Sequence, residues 1–178
     1  GFLNWDDESN LLLNWHWRGL GWAQLRWAFT AVQSGHYHPL TWLSYGLDYA
    51  LWGQRAAGYH LTNLLLHALN AALLFAIARR LFSPLGGAAL AAAAAALAFS
   101  LHPLRAESVA WISERRDVLS GAFYLGTILL YLQKRLRAAL LCFTASLLSK
   151  AMGVTLPIAL LILDFYPLGR LRAKAARA

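Results

Sequence analysis

The chain has 178 residues, of which 59% are hydrophobic and only 13% charged. Soluble domains carry roughly a quarter charged residues, so this composition argues against an ordinary soluble globule and for a chain that meets a lipid bilayer. The net charge of +8 does not make a nucleic-acid binder, because the bases are sorted by position along the chain. Cys142 is the sole cysteine, which excludes an internal disulfide.

Residues 1–59 precede the first clear apolar run and hold seven of the eight tryptophans. Trp and Tyr favour the headgroup layer, where an apolar ring and a polar edge are both satisfied. Because it precedes the first span, and the charges sorted below put the basic tail in the cytoplasm, this segment is expected on the outer face, periplasmic or lumenal. Its stretch from Thr41 to Trp52 is too short and polar to cross and reads as a helix lying along the interface.

Residues 60–178 read as a transmembrane helical region, with candidate spans at 60–82, 86–101 and 118–133 and a broken run from 138 to 166. A crossing helix needs about 20 residues, which the first run meets comfortably. Ser83–Gly87 is a turn built from helix-ending residues. The Ala-rich run after it suggests a tightly packed inner helix. In the broken run, Ser149-Lys150-Ala-Met-Gly153 divides two arms. These form either a helical pair turning at the outer face or one long bent helix, and charge favours the pair. Arg79 and Arg80, Lys134, Arg135 and Arg137, and the tail bases Arg170, Arg172, Lys174 and Arg177 all fall on one side if the spans alternate. The other seven bases and seven of the eight acids fall towards the opposite side. That is the positive-inside pattern, with the basic tail 170–178 in the cytoplasm. The fold class is thus an all-α, polytopic helical membrane domain.

The connector 102–117 carries three acids and three bases between apolar runs. His102-Pro103 resembles a helix start. If 103–115 is helical, Glu107, Glu114 and Asp117 share a face. Arg105, Arg115 and Arg116 then either neutralise these carboxylates or bind phosphate through paired hydrogen bonds. A self-satisfied salt-bridge network and a functional site fit this spacing equally well. Lys150, between two apolar arms, calls for water, a carboxylate or an anionic headgroup as its partner. Asp6, Asp7 and Glu8 form an acidic run near the start, ordinarily solvent-facing decoration. His60, Asn63, His67 and Asn70 share one face of the first run and are expected to make hydrogen bonds between helices. They lack a matched ligand set, as does the pair His36 and His38, so no metal site is assigned.

Taken together, six strings resemble one family, the transmembrane tetratricopeptide-repeat-containing O-mannosyltransferases and their bacterial relatives. They are Asn4-Trp-Asp-Asp7, Tyr37-His-Pro-Leu-Thr-Trp-Leu-Ser-Tyr45, Tyr59-His-Leu-Thr-Asn-Leu-Leu-Leu-His67, the run His102 to Asp117, Ser149-Lys-Ala-Met152, and Leu163-Asp-Phe-Tyr-Pro-Leu-Gly-Arg170. The resemblance extends to the C-type membrane glycosyltransferases and implies an enzyme that moves a sugar, here mannose, from a polyprenyl-phosphate carrier to Ser/Thr hydroxyls of an acceptor protein; direct transfer of this kind predicts inversion at the anomeric carbon. It implies that Asp7 or Asp6 is the catalytic base and that Asp117 occupies the second acidic motif. Lys150, with Arg115 or Arg116, takes the carrier phosphate, and Glu114 and His102 join the substrate-binding set. No cofactor beyond the donor lipid is implied, although a divalent ion remains open. The family pattern has a helix before the first acidic motif, and further spans and a repeat domain, so the chain reads as an N-terminal membrane fragment. A bacterial inner membrane is favoured over the endoplasmic reticulum. A non-catalytic scaffold or lipid-binding module is the alternative function.

Overall fold

A computed structural model of the chain describes residues 1–3, 6–84 and 86–170. Asn4 and Trp5 of the first string, Leu85 of the turn, and Arg172, Lys174 and Arg177 of the tail lie outside the described residues. The architecture is helical throughout: among the described residues the sole β-type pairing is an isolated bridge between Gln33 and His36.

A short π-helical turn at Glu8–Leu12 leads to α1 (Trp22–Thr30) and α2 (Pro39–Trp52). Pro39 opens α2, where a missing N–H is harmless, and Gly53 closes it with φ 61°. α3 (Ala56–Leu81) is the one helix among the described residues long and apolar enough to cross a membrane. Arg79 and Arg80 sit in its last turn, where cations suit the helix dipole. The expected run 86–101 becomes α4 (Ala88–Ser100), only 13 residues long. α5 (Arg105–Ala110) and a 3₁₀ turn (Ile112–Glu114) lead into α6 (Arg115–Leu132). The broken run is α7 (Leu136–Ser149), a 3₁₀ turn (Ala151–Thr155) and α8 (Leu156–Phe165).

The broken run is a helical pair. α7 climbs antiparallel to α6, with Ser146 in its last turn and Ser120 near the start of α6 exchanging hydrogen bonds. α8 then returns, so that Asp164 near its end accepts from Tyr131 near the end of α6 at 2.5 Å. The turn between them carries Lys150 to the same end of the molecule as Asp117. At the opposite end Arg79, Arg80 and Arg170 line one cavity.

Two expectations change. Ala88–Ser100 is peripheral: only Ala92 is buried, while Leu90 and Leu97 are exposed. Its methyl side chains let it lie along α3, but they give it too little bulk to recruit a second neighbour. The connector is also not one helix. Trp111 adopts an extended backbone, and Asn63 donates to the Val109 and Trp111 carbonyls at 3.2 and 3.1 Å. Asn63 thereby satisfies carbonyls that a continuing helix would have used, and Glu107, Glu114 and Asp117 do not share a continuous helical face.

The hydrophobic core gathers Leu11, Trp17, Ala28, Trp42, Tyr45, Tyr59 and Ile112. Trp17 and Trp42 are buried against other rings, while Trp15 and Trp22 are exposed. The tryptophan-rich segment therefore divides, part building a core and part facing outward. Gly46 permits this packing: a Cβ there would meet the Gly19 carbonyl oxygen at 2.5 Å, so the chain before α1 lies directly on α2.

Candidate functional site

The charges converge because the N-terminal segment, the connector after α5, the start of α6 and the turn after α7 meet at one end of the helices. The N-terminal acids come first. Asp7 is fully buried. Its Oδ2 accepts from the Leu3 amide at 3.0 Å. Its Oδ1 accepts from the Ser113 amide at 2.9 Å and from the Ser113 hydroxyl at 2.5 Å. Three donors hold this carboxylate and tie residues 3–7 to the connector. Asp6 is half-buried and lines a cavity of about 260 Å³ together with His38, Trp42, Tyr45, Ser113 and Arg116. Of the two adjacent acids, Asp6 is therefore the one presented to a ligand-sized space.

Beside this cavity runs a charge relay. Arg116 donates to Glu114 Oε1 through Nη2 at 2.5 Å and Nε at 3.1 Å. Lys150 Nζ lies 3.4 Å from Glu114 Oε2 and also pairs with Asp117, which accepts from the Ser108 hydroxyl at 3.0 Å. Burial opposes the Asp117 charge, but the Lys150 ammonium and the Ser108 hydroxyl hold its carboxyl below the usual carboxylate range. Burial likewise opposes the Arg116 charge, and Glu114 more than compensates, raising its pKa above the ordinary arginine value. Two acids and two bases thus balance, with Lys150 and Arg116 still 28% and 21% exposed.

Arg115 has the opposite surroundings. It is fully buried and donates from Nη2 to Asp48 at 2.6 Å and to the Tyr59 carbonyl at 2.9 Å. Its Nε donates to Asn63, and its guanidinium lies over the Tyr45 ring. Asp48 is held in turn by the Thr62 hydroxyl at 2.8 Å. Arg115 is thus part of the internal framework, and of the two adjacent arginines only Arg116 reaches the cavity. His102 stands on an exposed turn, and its Nδ1 accepts locally from the Leu104 amide at 3.2 Å. Glu107 is also exposed.

The polar face of α3 spends its side chains between elements. His60 meets the Gly1 carbonyl, His67 the Ser100 carbonyl, and Asn70 donates to the Val118 carbonyl. Among the described residues, no group of three or more His, Cys, Asp or Glu side chains is arranged to hold a metal ion. Sequence reasoning missed Asp48 and Ser113. A signal for the first was available: a lone acid in an apolar helix demands a buried partner. Nothing in the sequence distinguishes Ser113 from its neighbours.

Three relatives bear on identity. The chain is similar to Protein O-mannosyl-transferase TMTC2 of Mus musculus, 31% identical over 163 residues, covering 83% of this chain and 19% of that protein. It is 36% identical over 110 residues to Protein O-mannosyl-transferase tmtc2 of Xenopus laevis, covering 60% of this chain and 13% of that protein. Protein O-mannosyl-transferase Tmtc1 of Drosophila melanogaster is 36% identical over 108 residues, covering 59% and 12%. The chain spans less than a fifth of the length of these relatives. No family model matches it, and no solved structure matches it significantly. The similarities support kinship with the O-mannosyl-transferases that carry these names.

Proposed function

We propose that this chain is part of a multi-pass membrane glycosyltransferase that moves a sugar from a polyprenyl-phosphate carrier to Ser/Thr hydroxyls of an acceptor protein. The relatives' names favour mannose. The site lies on the outer or lumenal face of its membrane, whether a bacterial inner membrane or the endoplasmic reticulum. The observation that carries this reading is the placement of Asp6 and Arg116 on one polar cavity beside the Lys150–Asp117 pair.

Asp6 takes the proton of the acceptor hydroxyl as its oxygen bonds to the anomeric carbon. The bond from that carbon to the phosphate oxygen breaks with both electrons going to oxygen, and the polyprenyl phosphate leaves with one more negative charge. Arg116 and Lys150 stabilise that charge. The carboxylate of Asp6 also favours the oxocarbenium-like transition state. A single displacement inverts the anomeric carbon. Asp7, locked to Ser113, holds Asp6 against the cavity.

The test is transfer from labelled polyprenyl-phosphate mannose to Ser/Thr peptides by the full-length protein. Asp6→Asn should reduce turnover by about 10²–10⁴-fold at unchanged thermal stability. Asp7→Asn should lower the melting temperature along with turnover. Full activity in Asp6→Asn would remove Asp6 as the base. An inactive wild type across several sugars and acceptors would favour a lipid-binding scaffold instead.

A further inference from the structure

The end of the helices away from the charge network is built differently. A cavity of about 640 Å³ lies there between the end of α3, the end of α6 and the segment after α8. Arg79, Arg80 and Arg170 line it together with Ser83 and apolar residues that include Phe75 and Leu132. Arg79 and Arg80 are exposed, in the last turn of α3. Arg170 comes from a different element and is held in position. It donates to Asp164 Oδ1 at 3.0 Å, and its guanidinium lies 5.4 Å from the centre of the Tyr131 ring. Its side chain is still 37% exposed.

The simplest account of these bases is that they answer helix dipoles. α3 and α6 both end at this cavity, and each C-terminus carries roughly half a negative charge. Three guanidiniums exceed that demand. Among the described residues Asp164 is the one acid paired with any of them. Lys134, Arg135 and Arg137 line a neighbouring depression between α6 and α7 and add to the excess. The lining is therefore electropositive, and guanidiniums suit phosphate oxygens through paired hydrogen bonds.

An apolar stripe leads to this cavity. Leu61, Leu65, Leu69, Ala72 and Ala76 recur at the spacing of one face of α3, the same face that ends in Arg79. The three leucines are 43%, 60% and 47% exposed, Ala72 is exposed, and Ala76 lines the cavity. The helix rises about 22 Å from Leu61 to Ala76, enough to follow the roughly 15 Å of hydrocarbon in one leaflet. We propose that this cavity binds the phosphate headgroup of an anionic phospholipid, with an acyl chain lying along the α3 stripe. Basic pockets between membrane helices take such headgroups. The lipid is distinct from the sugar donor. Tyr59, whose carbonyl meets Arg115, stands about 30 Å from Arg80 along α3, so the two phosphates would lie at opposite ends of the helix. The inference rests on the membrane placement in the reading above and not on sugar transfer.

Lipid selectivity tests it. The full-length protein in neutral detergent is titrated with phosphatidylglycerol and with phosphatidylcholine of the same acyl chains, and bound lipid is read by native mass spectrometry. The wild type should prefer the anionic lipid about tenfold, close to the contribution of one hydrogen bond between charged groups. Arg79→Gln with Arg80→Gln should remove most of that preference while leaving affinity for phosphatidylcholine within about twofold. Arg135→Gln with Arg137→Gln removes the same charge outside the cavity and should leave most of the preference. No preference in the wild type, or an equal loss in both pairs, overturns the site. Displacement of the lipid by micromolar inorganic phosphate overturns the lipid as occupant and assigns the cavity to a soluble phosphate. Where the first pair destabilises the protein, Arg80→Gln alone should cut the preference about threefold, and an unchanged preference there counts against the proposal. Sugar transfer enters none of these measurements, so failure of the transferase reading and failure of the lipid site are told apart.

Discussion

Arg115 and Arg116 are neighbours in sequence and opposites in circumstance. Successive residues on a helix point about 100° apart, and at the start of α6 that rotation separates the interior from the cavity. Arg115 turns inward to Asp48, Asn63 and the Tyr59 carbonyl, on side chains 0% and 2% exposed for the ion pair. Arg116 turns outward to Glu114 and, through it, to Lys150 and Asp117. The inner pair is closed, with Thr62 completing Asp48. The outer network is open, with its cations accessible and its acids shared. A buried framework charge needs a buried counter-charge, here Asp48, even though Arg115 Nη1 is left without a hydrogen-bond partner. A charge that meets a substrate must instead be able to change partners.

Removing Arg115 should break the comparison most severely. Arg115→Met leaves Asp48 buried without its cation, and losing one partner of a buried pair typically costs about 3–5 kcal/mol. The purified protein should melt far below wild type or fail to accumulate. Pairing Arg115→Met with Asp48→Leu should recover much of the loss, because a buried pair replaced together by apolar groups is often neutral. If Arg115→Met is as stable as Arg116→Met, the inner pair has no framework role.

His38 represents a third way to be buried, without any charge. Its pKa is lowered to about 4 in the folded protein, while the unfolded chain titrates near 6.5. Between those values the unfolded state binds the extra proton, so stability is full above pH 6.5 and declines as pH falls towards 4. The stability lost between neutral pH and pH 4 is roughly 3 kcal/mol at most. Thermal unfolding of wild type against His38→Gln over this range should show a shallower pH dependence in the variant. Identical slopes would place His38 outside the buried set.

Ser113 sharpens the contrast between Asp7 and Asp6. Ser113→Ala deletes one of the three donors to Asp7 and leaves the amide bond in place. Hydrogen bonds to charged groups contribute about 1.5–3 kcal/mol, so a loss within that range is expected. Turnover should fall further than stability predicts, with the Michaelis constant for donor lipid nearly unchanged, because the loosened segment carries Asp6, the proposed base. Ser113→Thr, which restores the hydroxyl, should rescue it. A change confined to melting temperature would make Ser113 merely structural.

Much of the fold was legible because it follows from hydrophobic runs and charge sorting. The first run became α3, the broken run became a pair with Lys150 at its turn, and the polar face of α3 bonded between elements. The peripheral place of α4 was not legible, because an alanine helix carries no amphipathic signal to say which face is covered. The break at Trp111 was not legible either, since Asn63, 48 residues earlier, supplies its hydrogen bonds. The site was half visible. Asp6, Asp117, Glu114, Arg116 and Lys150 converge near one end, but sequence order alone cannot decide which of two adjacent acids, or two adjacent arginines, points inward. Those choices were settled by Ser113 and Asp48, partners far away along the chain.

Lys150 should give the smallest effect on the fold and thereby complete the comparison with Arg115. Its pairs with Glu114 and Asp117 are partly exposed, and such pairs contribute about 0–1 kcal/mol. Lys150→Met should therefore melt close to wild type at neutral pH. At acid pH the sign is fixed by Asp117: the folded carboxyl is held below its usual range, so its stabilisation is present above the unfolded carboxylate value and fades as pH falls. Lys150→Met should lose that acid-sensitive share. Turnover is the sharper readout. If Lys150 stabilises the departing phosphate, its removal should lower kcat by about 10²–10³-fold, as removal of a transition-state donor does elsewhere. Lys150→Arg should retain charge and recover part of the rate. An open network predicts this split, small in stability and large in rate, whereas the closed Arg115 pair predicts loss of the fold itself. A Lys150→Met protein that unfolds as readily as Arg115→Met would erase the distinction between the two networks.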